Sequence, residues 1–254
     1  MTPAPHRPEP VGDSASTTGW QRIGRDRQIA WAIAATLGAS LLAITLQQYD
    51  IRVSAVFYEP GQGFPVSREP FFIGLRTLGR VLPGVVIAAL VILLAIRMLR
   101  RKPWAGLPDR AMVFLGLCFA LGPGLLVNLI LKSNWGRARP IATNDFGGTE
   151  PFTPAWWPWG GCHANCSFVS GEASTAIVLL AFAFVAPRAW RPAIAGGTIL
   201  WTVIISLNRV AFGAHYLSDV VIATCLTLLV MFVLKAVILD PHETPPPPSS
   251  HSGP

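Results

Sequence analysis

The chain has few charged residues for its length. Only 13% of its 254 residues are Asp, Glu, Lys or Arg, whereas 52% are hydrophobic. Soluble globular domains carry about 25% charged residues, so this balance excludes an ordinary soluble domain and also a disordered chain. Four cysteines in a chain of this length exclude a disulfide scaffold. The composition therefore predicts a protein embedded in a membrane.

Acidic residues are almost missing from the apolar parts of the sequence. About 20 apolar residues span a bilayer as a helix. Six segments of suitable length are present: 28–47, 81–98, 111–131, 168–187, 192–208 and 218–237. Of the thirteen Asp and Glu residues, only Glu172 and Asp219 lie within these segments, each near an end. The predicted fold class is all-α, a polytopic membrane protein with six transmembrane helices in a bundle.

The residues outside these segments divide the chain into three regions. Residues 1–27 and 239–254 are polar and rich in proline, which predicts disordered tails flanking a membrane domain at 28–238. No cleavable signal pattern precedes the first segment, so we expect that segment to remain as an anchor. Residues 71–80 alternate apolar and basic positions at helical spacing, which favours a short interfacial helix on the outer surface over a plain loop.

The positive charges predict orientation rather than a nucleic-acid partner. The formal net charge is +7, but no basic stripe is interleaved with aromatic residues, so we expect no binding to nucleic acid. Four positive residues lie between positions 97 and 102, at the end of the second segment. Because Lys and Arg concentrate on the cytoplasmic side of membrane proteins, we expect both termini to be cytoplasmic.

The outer ends of the last four segments carry ionisable residues. These residues are Lys132, Glu172, Arg209, His215 and Asp219. Ionisable groups at a membrane boundary are costly unless they are paired or functional. Catalysis of phosphoryl transfer depends mostly on positioning and positive charge, and arginine and lysine are the side chains that bind phosphate oxygens. The pattern therefore indicates phosphate chemistry at the outer face.

His215 and Asp219 form the reactive pair of this hypothesis. Residues four apart on a helix, or on its first turn, share a face. An aspartate bonded to one imidazole nitrogen leaves the other nitrogen free to attack phosphorus, which would give a phosphohistidine intermediate. This arrangement needs no metal and no other cofactor, and the sequence shows no carboxylate cluster for Mg²⁺.

Three blocks of the sequence resemble the signature of a known family. The blocks are Lys132-x6-Arg139-Pro140, Ser170-Gly171 and Arg209-x5-His215-x3-Asp219. In order and spacing they resemble the type 2 phosphatidic acid phosphatase superfamily, membrane lipid phosphatases related to the soluble vanadium haloperoxidases. The resemblance implies a set of phosphate-binding residues: Lys132, Arg139, Ser170, Gly171 and Arg209. It also implies that His215 is the nucleophile and that Asp219 orients it.

The second block departs from the family pattern at Glu172. The family has a histidine at this position, its general acid. A glutamic acid can take that role only in its protonated form, which burial against the tryptophans of the outer loop would favour. We hypothesise that Glu172 is the acid. His163, in the same loop, is the rival, and an inactive relative that binds without cleaving is a third interpretation.

The outer loop at 132–167 contains two cysteines close together. Cys162 and Cys166, with His163 between them, provide three of the four ligands that a structural zinc site needs. On an oxidising outer face, a local disulfide between Cys162 and Cys166 is the favoured interpretation, and we expect no metal site.

These observations predict an integral-membrane lipid phosphatase of the bacterial inner membrane, with its active site facing the periplasm. The substrates that the resemblance implies are undecaprenyl diphosphate, phosphatidylglycerol phosphate, phosphatidic acid and lipid A. Transfer of the phosphoryl group to another lipid is a related outcome. The alternative is an inactive relative that acts as a membrane lipid-binding or transport protein, although a transporter would place its polar groups near mid-membrane.

Overall fold

Helices make up most of the part of the chain that the structure describes. The computed structural model describes residues 14–100 and 108–240. Besides short 3₁₀ turns, these ranges contain α1 (Ser14–Thr45), α2 (Gln48–Ala55), α3 (Pro70–Arg100), α4 (Asp109–Asn134), α5 (Gly171–Val185), α6 (Arg191–Ala211) and α7 (Leu217–Leu239). The same ranges hold isolated β-bridges but no strand. The all-α prediction is confirmed, while the outer parts of both predicted tails, 1–13 and 241–254, lie outside the described residues.

Five of these helices are long and apolar enough to cross a membrane. They are Asp26–Thr45 within α1, Pro70–Leu99 within α3, and the whole of α4, α6 and α7. The fourth predicted segment, 168–187, is represented by the shorter apolar helix α5. This helix begins at Gly171 because Ser170 caps it, its hydroxyl oxygen accepting from the Ala173 amide at 3.3 Å. It ends at Val185 because Ala186 is extended ahead of a proline.

Two helices begin earlier in the chain than the sequence predicts. The helix α3 runs unbroken from Pro70, so residues 71–80 form its first part and the prediction of a separate interfacial helix was wrong. Pro70 stands at the first helical position, where its missing N–H group costs nothing. The helix α1 begins at Ser14, so residues 14–27, expected in a disordered tail, are helical.

The helices α4 to α7 form the centre of the bundle. The helix α5 packs against both α6 and α7, while α3 packs on α6 and α1 runs along α7. A buried apolar cluster that includes Val127, Phe168, Val210 and Ile222 joins α4, α6 and α7 to the loop before α5. We call the end of the bundle that carries segments 46–69, 135–170 and 212–216 the loop end.

The winding of α4 changes near Pro123. The segment Ala120–Leu131 is a π-helix, and Pro123 within it has no N–H group to donate. The side-chain amide of Asn128 donates to the Pro123 carbonyl oxygen at 2.6 Å, within the same segment. Asn128 lies within this segment, and Lys132 follows it directly.

Candidate active site

A polar cavity of about 280 Å³ lies at the loop end of the bundle. Its lining includes five cationic side chains: Arg76, Arg80, Lys132, Arg139 and Arg209. Within ranges 14–100 and 108–240, the other ionisable groups of the lining are one carboxylate, Glu172, and one imidazole, His215. With the imidazole neutral, five positive and one negative side chains leave a net charge of +4, which suits an anionic ligand.

Most of the residues that the sequence predicted for the site meet in this cavity. Those that line it are Lys132, Arg139, Gly171, Glu172, Arg209 and His215. Ser170 and Asp219 are wholly buried and hydrogen-bonded to each other, the Ser170 amide donating to the Asp219 backbone carbonyl at 3.2 Å. His163 is exposed on the loop and does not belong to the cavity lining.

A tight turn after α6 brings His215 back toward Arg209. Gly213 in this turn has a φ of +62°, in the left-handed region that favours glycine. A Cβ atom at Gly213 would also collide with the ring of Phe64. The Ala214 amide donates to the Arg209 carbonyl oxygen at 3.2 Å. The turn therefore holds the imidazole and the guanidinium on the same wall of the cavity.

His215 is buried and hydrogen-bonded through one ring nitrogen. Its Nδ1 atom lies 2.8 Å from the carbonyl oxygen of Ser167, and 1% of the residue is exposed. Because a carbonyl oxygen can only accept, Nδ1 carries the hydrogen and Nε2 keeps its lone pair. Burial lowers the pKa of His215 to about 4. The ring is therefore neutral at pH 7, the form that can act as a nucleophile.

Asp219 contacts His215 through its neighbours rather than directly. Its Oδ2 atom lies 3.9 Å from Nδ1 of His215, which is too far for a hydrogen bond. The same oxygen accepts from the Ser167 hydroxyl at 2.5 Å and from the Tyr216 amide at 2.9 Å. Asp219 thus fixes Ser167, whose carbonyl oxygen accepts the imidazole hydrogen, and Tyr216, which follows His215 in the chain.

A buried charge network lies behind Asp219. The guanidinium of Arg137 donates through Nη1 to Asp219 Oδ1 at 2.6 Å and through Nη2 to Asp50 Oδ2 at 2.8 Å. The Ser218 hydroxyl donates to Asp50 at 2.6 Å and accepts from Arg137 at 2.8 Å. Burial opposes the charge on Arg137, but the carboxylates of Asp219 and Asp50 outweigh it and raise the pKa of the guanidinium. We call Asp50, Arg137, Ser218 and Asp219 the Arg137 network.

Sequence reasoning missed this network. Arg137 lies between the matched residues Lys132 and Arg139, at a position to which no role was given. Asp50 follows the first apolar segment, and an acidic residue at a membrane boundary requires a partner. That requirement was the available signal, but it does not say which of the many arginines is the partner.

Arg139 is oriented by the disulfide loop. A disulfide joins Cys162 to Cys166, and Asn165 lies within the loop that it closes. Arg139 donates through Nε to the Asn165 carbonyl oxygen at 2.9 Å and through Nη2 to its side-chain oxygen at 2.8 Å. The cystine loop thus holds a cationic group of the cavity by two hydrogen bonds.

Arg209 is paired with Glu172. Its Nε atom lies 2.8 Å from Glu172 Oε2, and the other carboxylate oxygen lies 3.9 Å from Nε of Arg76. The buried Nη1 atom of Arg209 has no hydrogen-bond partner among the described residues. A buried guanidinium nitrogen without a partner, in the wall of a cationic cavity, fits an anionic ligand.

Two cations of the cavity, Arg76 and Arg80, were expected on an interfacial helix. Their spacing of four residues puts them on one face of α3, as the sequence indicated. The structure shows that both line the cavity rather than only the membrane surface. Local periodicity gives the face of a helix but not the element that packs beside it, which here is the distant α6.

Comparisons with known proteins match this chain to one family. The family model of the PAP2 superfamily matches residues 113–242. The chain is 44% identical over 117 residues to a lipid A 4'-phosphatase of Rhizobium leguminosarum, covering 46% of this chain and 50% of that one. It is 30% identical over 207 residues to a lipid A 4'-phosphatase of Francisella tularensis subsp. novicida, covering 76% of this chain and 88% of that one. The chain therefore spans about half the length of the first relative and most of the second.

A solved structure shares the fold. It is the crystal structure of a transmembrane PAP2-type phosphatidylglycerolphosphate phosphatase from Bacillus subtilis, with a TM-score of 0.50 and 21% sequence identity. The match covers 81% of this chain and 94% of that one. At this identity the likeness describes the arrangement of the helices.

Proposed function

Because the chain belongs to the PAP2 superfamily, we propose that it is an integral-membrane lipid phosphatase with His215 as its nucleophile. The observation that carries this proposal is the neutral imidazole, with Nε2 free, in a cavity that has five cationic side chains. A lipid phosphate presents its headgroup at the membrane boundary, where this cavity lies, while its chains stay in the bilayer.

The reaction would proceed in two displacements. Nε2 of His215 attacks phosphorus, and the bond from phosphorus to the lipid oxygen breaks. One water molecule gives a proton to that lipid oxygen and becomes hydroxide. The hydroxide then attacks the phosphorus of the phosphohistidine, which releases inorganic phosphate and regenerates the imidazole. Lys132, Arg139 and Arg209 would neutralise the phosphoryl oxygens, the main requirement of such a transition state.

The start of α5 would add donors for the phosphate. Gly171 lines the cavity as the first residue of this helix, and helix N-termini favour anions. Ser170 caps the helix from a buried position, so its support of the site would come from fixing the direction of the first amides. Asp219 would act as a positioning residue, through Ser167 and Tyr216.

Glu172 fits the role of an orienting partner better than that of the general acid. An ion pair with Arg209 needs the ionised carboxylate, whereas a general acid must carry the proton. His163, which is exposed and outside the cavity lining, gains no support as the acid. We therefore propose that Glu172 holds Arg209 in the geometry that binds phosphate.

A Glu172→Gln variant separates the two roles. Glutamine keeps an oxygen near the position of Glu172 Oε2, which lies 2.8 Å from Nε of Arg209, so kcat is expected to fall by less than about tenfold, against the ~10²–10⁴-fold loss that follows removal of a general acid. Glu172→Ala is the matched variant, because it removes both oxygens beside Arg209 and should lower kcat/KM by about tenfold or more. A hundredfold loss of kcat in Glu172→Gln would restore the general-acid role.

Lipid A is the substrate candidate that the relatives favour. Two of the relatives described above carry the name lipid A 4'-phosphatase, and one from Rhizobium etli that is 42% identical over 99 residues is a lipid A 1-phosphatase. Undecaprenyl diphosphate, phosphatidylglycerol phosphate and phosphatidic acid remain candidates with the same chemistry. We propose a bacterial inner-membrane location; the basic cluster near Arg97, at the opposite end of α3, supports cytoplasmic termini and a periplasmic cavity.

Release of inorganic phosphate tests the proposed function. The detergent-purified full chain is incubated in EDTA with lipid A, undecaprenyl diphosphate, phosphatidylglycerol phosphate and phosphatidic acid. We expect release from at least one lipid, and a parallel preparation of His215→Asn excludes contaminating phosphatases. No release from any of the four by folded protein would favour the alternative, an inactive relative that binds lipid phosphates.

A further inference from the structure

The cavity contains two arginines that the phosphate chemistry does not use. Arg76 and Arg80 lie one helical turn apart on α3 and both line the cavity. The three cations of the signature, Lys132, Arg139 and Arg209, come from other parts of the chain. The position of α3 therefore decides whether Arg76 and Arg80 can reach a ligand.

Close packing fixes α3 against α6. Gly79 lies so near α6 that a Cβ atom there would be 2.8 Å from Cδ1 of Ile205. The side-chain amide of Asn208 donates to the Phe72 carbonyl oxygen at 3.2 Å. These contacts lie on both sides of Arg76 along the helix, so they hold its backbone in place beside the end of α6.

Arg76 and Arg209 meet around one aromatic ring. Their guanidinium carbons lie 5.9 Å and 5.3 Å from the centre of the Phe212 ring. The buried Nε atom of Arg76 has no hydrogen-bond partner among the described residues. Nε of Arg76 and Nε of Arg209 also lie 3.9 Å and 2.8 Å from the oxygens of one carboxylate, that of Glu172. Like charges around one anion repel each other, and Glu172 supplies only a single negative charge there.

The charge of the cavity exceeds what one phosphate requires. The lining has a net charge of +4 with the imidazole neutral, whereas a phosphate monoester carries about −1.5 to −2 at pH 7. About two positive charges therefore remain once one phosphate is bound. Arg76 and Arg80 carry two positive charges on α3, and they are separate along the chain from the three cations of the signature.

We infer that Arg76 and Arg80 form a second anion subsite, which binds a further negative group of the same headgroup. This inference rests on the proposed function, in that the first anion is the phosphate that His215 attacks. The ligand is then a lipid with two anionic groups, either the second phosphate of a diphosphate or a separate phosphate elsewhere on the headgroup. Undecaprenyl diphosphate, phosphatidylglycerol phosphate and lipid A meet this requirement, whereas phosphatidic acid does not.

Binding measurements test the subsite without turnover. The full chain with His215→Asn is prepared in detergent, and its affinities for phosphatidic acid, undecaprenyl diphosphate and bisphosphorylated lipid A are measured by native mass spectrometry. At least one doubly anionic lipid should bind about tenfold or more tightly than phosphatidic acid, as expected from added charge-assisted hydrogen bonds. Adding Arg76→Gln and Arg80→Gln together should remove this preference, because the doubly anionic lipids lose more affinity than phosphatidic acid does.

Matched variants keep the test decisive. Arg52→Gln removes an exposed positive charge from α2 at the same end of the bundle, outside the cavity lining, and should keep the preference. Arg80→Gln alone changes an exposed side chain and serves if the double variant does not fold; it should reduce the preference by several-fold. A preference for the diphosphate alone places the second anion beside the first, and a preference for lipid A alone places it across the headgroup.

Two results would overturn the subsite. One is equal affinity for all three lipids in the parent protein, and the other is a preference that survives the loss of both arginines. The proposed function fails by a different result, namely wild-type protein that releases no phosphate while the binding preference and its dependence on Arg76 and Arg80 persist.

Discussion

Replacing Arg137 with methionine should lower the free energy of unfolding by about 3–5 kcal/mol, the usual cost of removing one partner from a buried ion pair. The guanidinium is wholly buried between Asp50 and Asp219 and also donates to the Thr153 carbonyl oxygen at 2.8 Å. Its removal leaves two buried carboxylates without a counter-charge. Folded proteins are stable by only about 5–15 kcal/mol, so most of the stability of the chain would be lost.

Thermal unfolding in detergent, followed by tryptophan fluorescence, measures this effect. The matched control is Arg139→Met, because Arg139 is partly exposed and bonded to Asn165 rather than to a carboxylate; its unfolding temperature should stay close to that of the wild type. Adding Asp50→Asn to Arg137→Met should recover part of the loss, because one uncompensated charge disappears. If Arg137→Met unfolds at the same temperature as the wild type, the network is not a stabilising element.

A phosphoryl group on His215 is the second large effect that we expect. When ³²P-labelled lipid A or another substrate from the panel is mixed with the protein and quenched within milliseconds, label should be bound to His215. The bond should be labile to acid and stable to base, as a phosphorus–nitrogen bond is. The His215→Asn variant should carry no label and release no phosphate, because no other imidazole among the described residues lines the cavity.

The Nδ1 hydrogen would give the proposed intermediate its reactivity. That hydrogen is held by the Ser167 carbonyl oxygen at 2.8 Å and would stay on the ring, so the phosphorylated ring would be an imidazolium and a good leaving group for the second displacement. The Ser167 hydroxyl is in turn held by Asp219. Label on a residue other than His215, or full release of phosphate by His215→Asn, would contradict the mechanism.

Much of the fold could be predicted because lipid imposes simple rules. An apolar run of sufficient length without Asp or Glu must be a helix, and four of the long spans follow such runs closely. The helix α5 is shorter than predicted because Ser170 caps its start and Pro187 lies just beyond its end. Neither residue is distinctive within an apolar run of sequence. The early start of α3 was missed because amphipathic periodicity looks the same at a membrane surface and at a cavity wall.

The residues of the candidate site likewise fall into those that the sequence predicts and those that it does not. Lys132, Arg209 and His215 were identified because their spacing along the chain carries the pattern. Asp50, Arg76 and Arg80 were not, because their places in the site depend on how α2 and α3 pack against helices far along the chain. Charge and spacing are local properties, whereas the partner of a charge is a property of the tertiary structure.

The Arg137 network bears on where this protein can be divided. The family match begins at residue 113, but one of the two carboxylates that neutralise Arg137 belongs to Asp50, well ahead of that boundary. A fragment limited to the matched region would contain the whole catalytic signature and yet hold a buried guanidinium with half of its counter-charge. The unit held together by this buried network is therefore larger than the region that the family profile matches, and it includes α2, on which Asp50 lies.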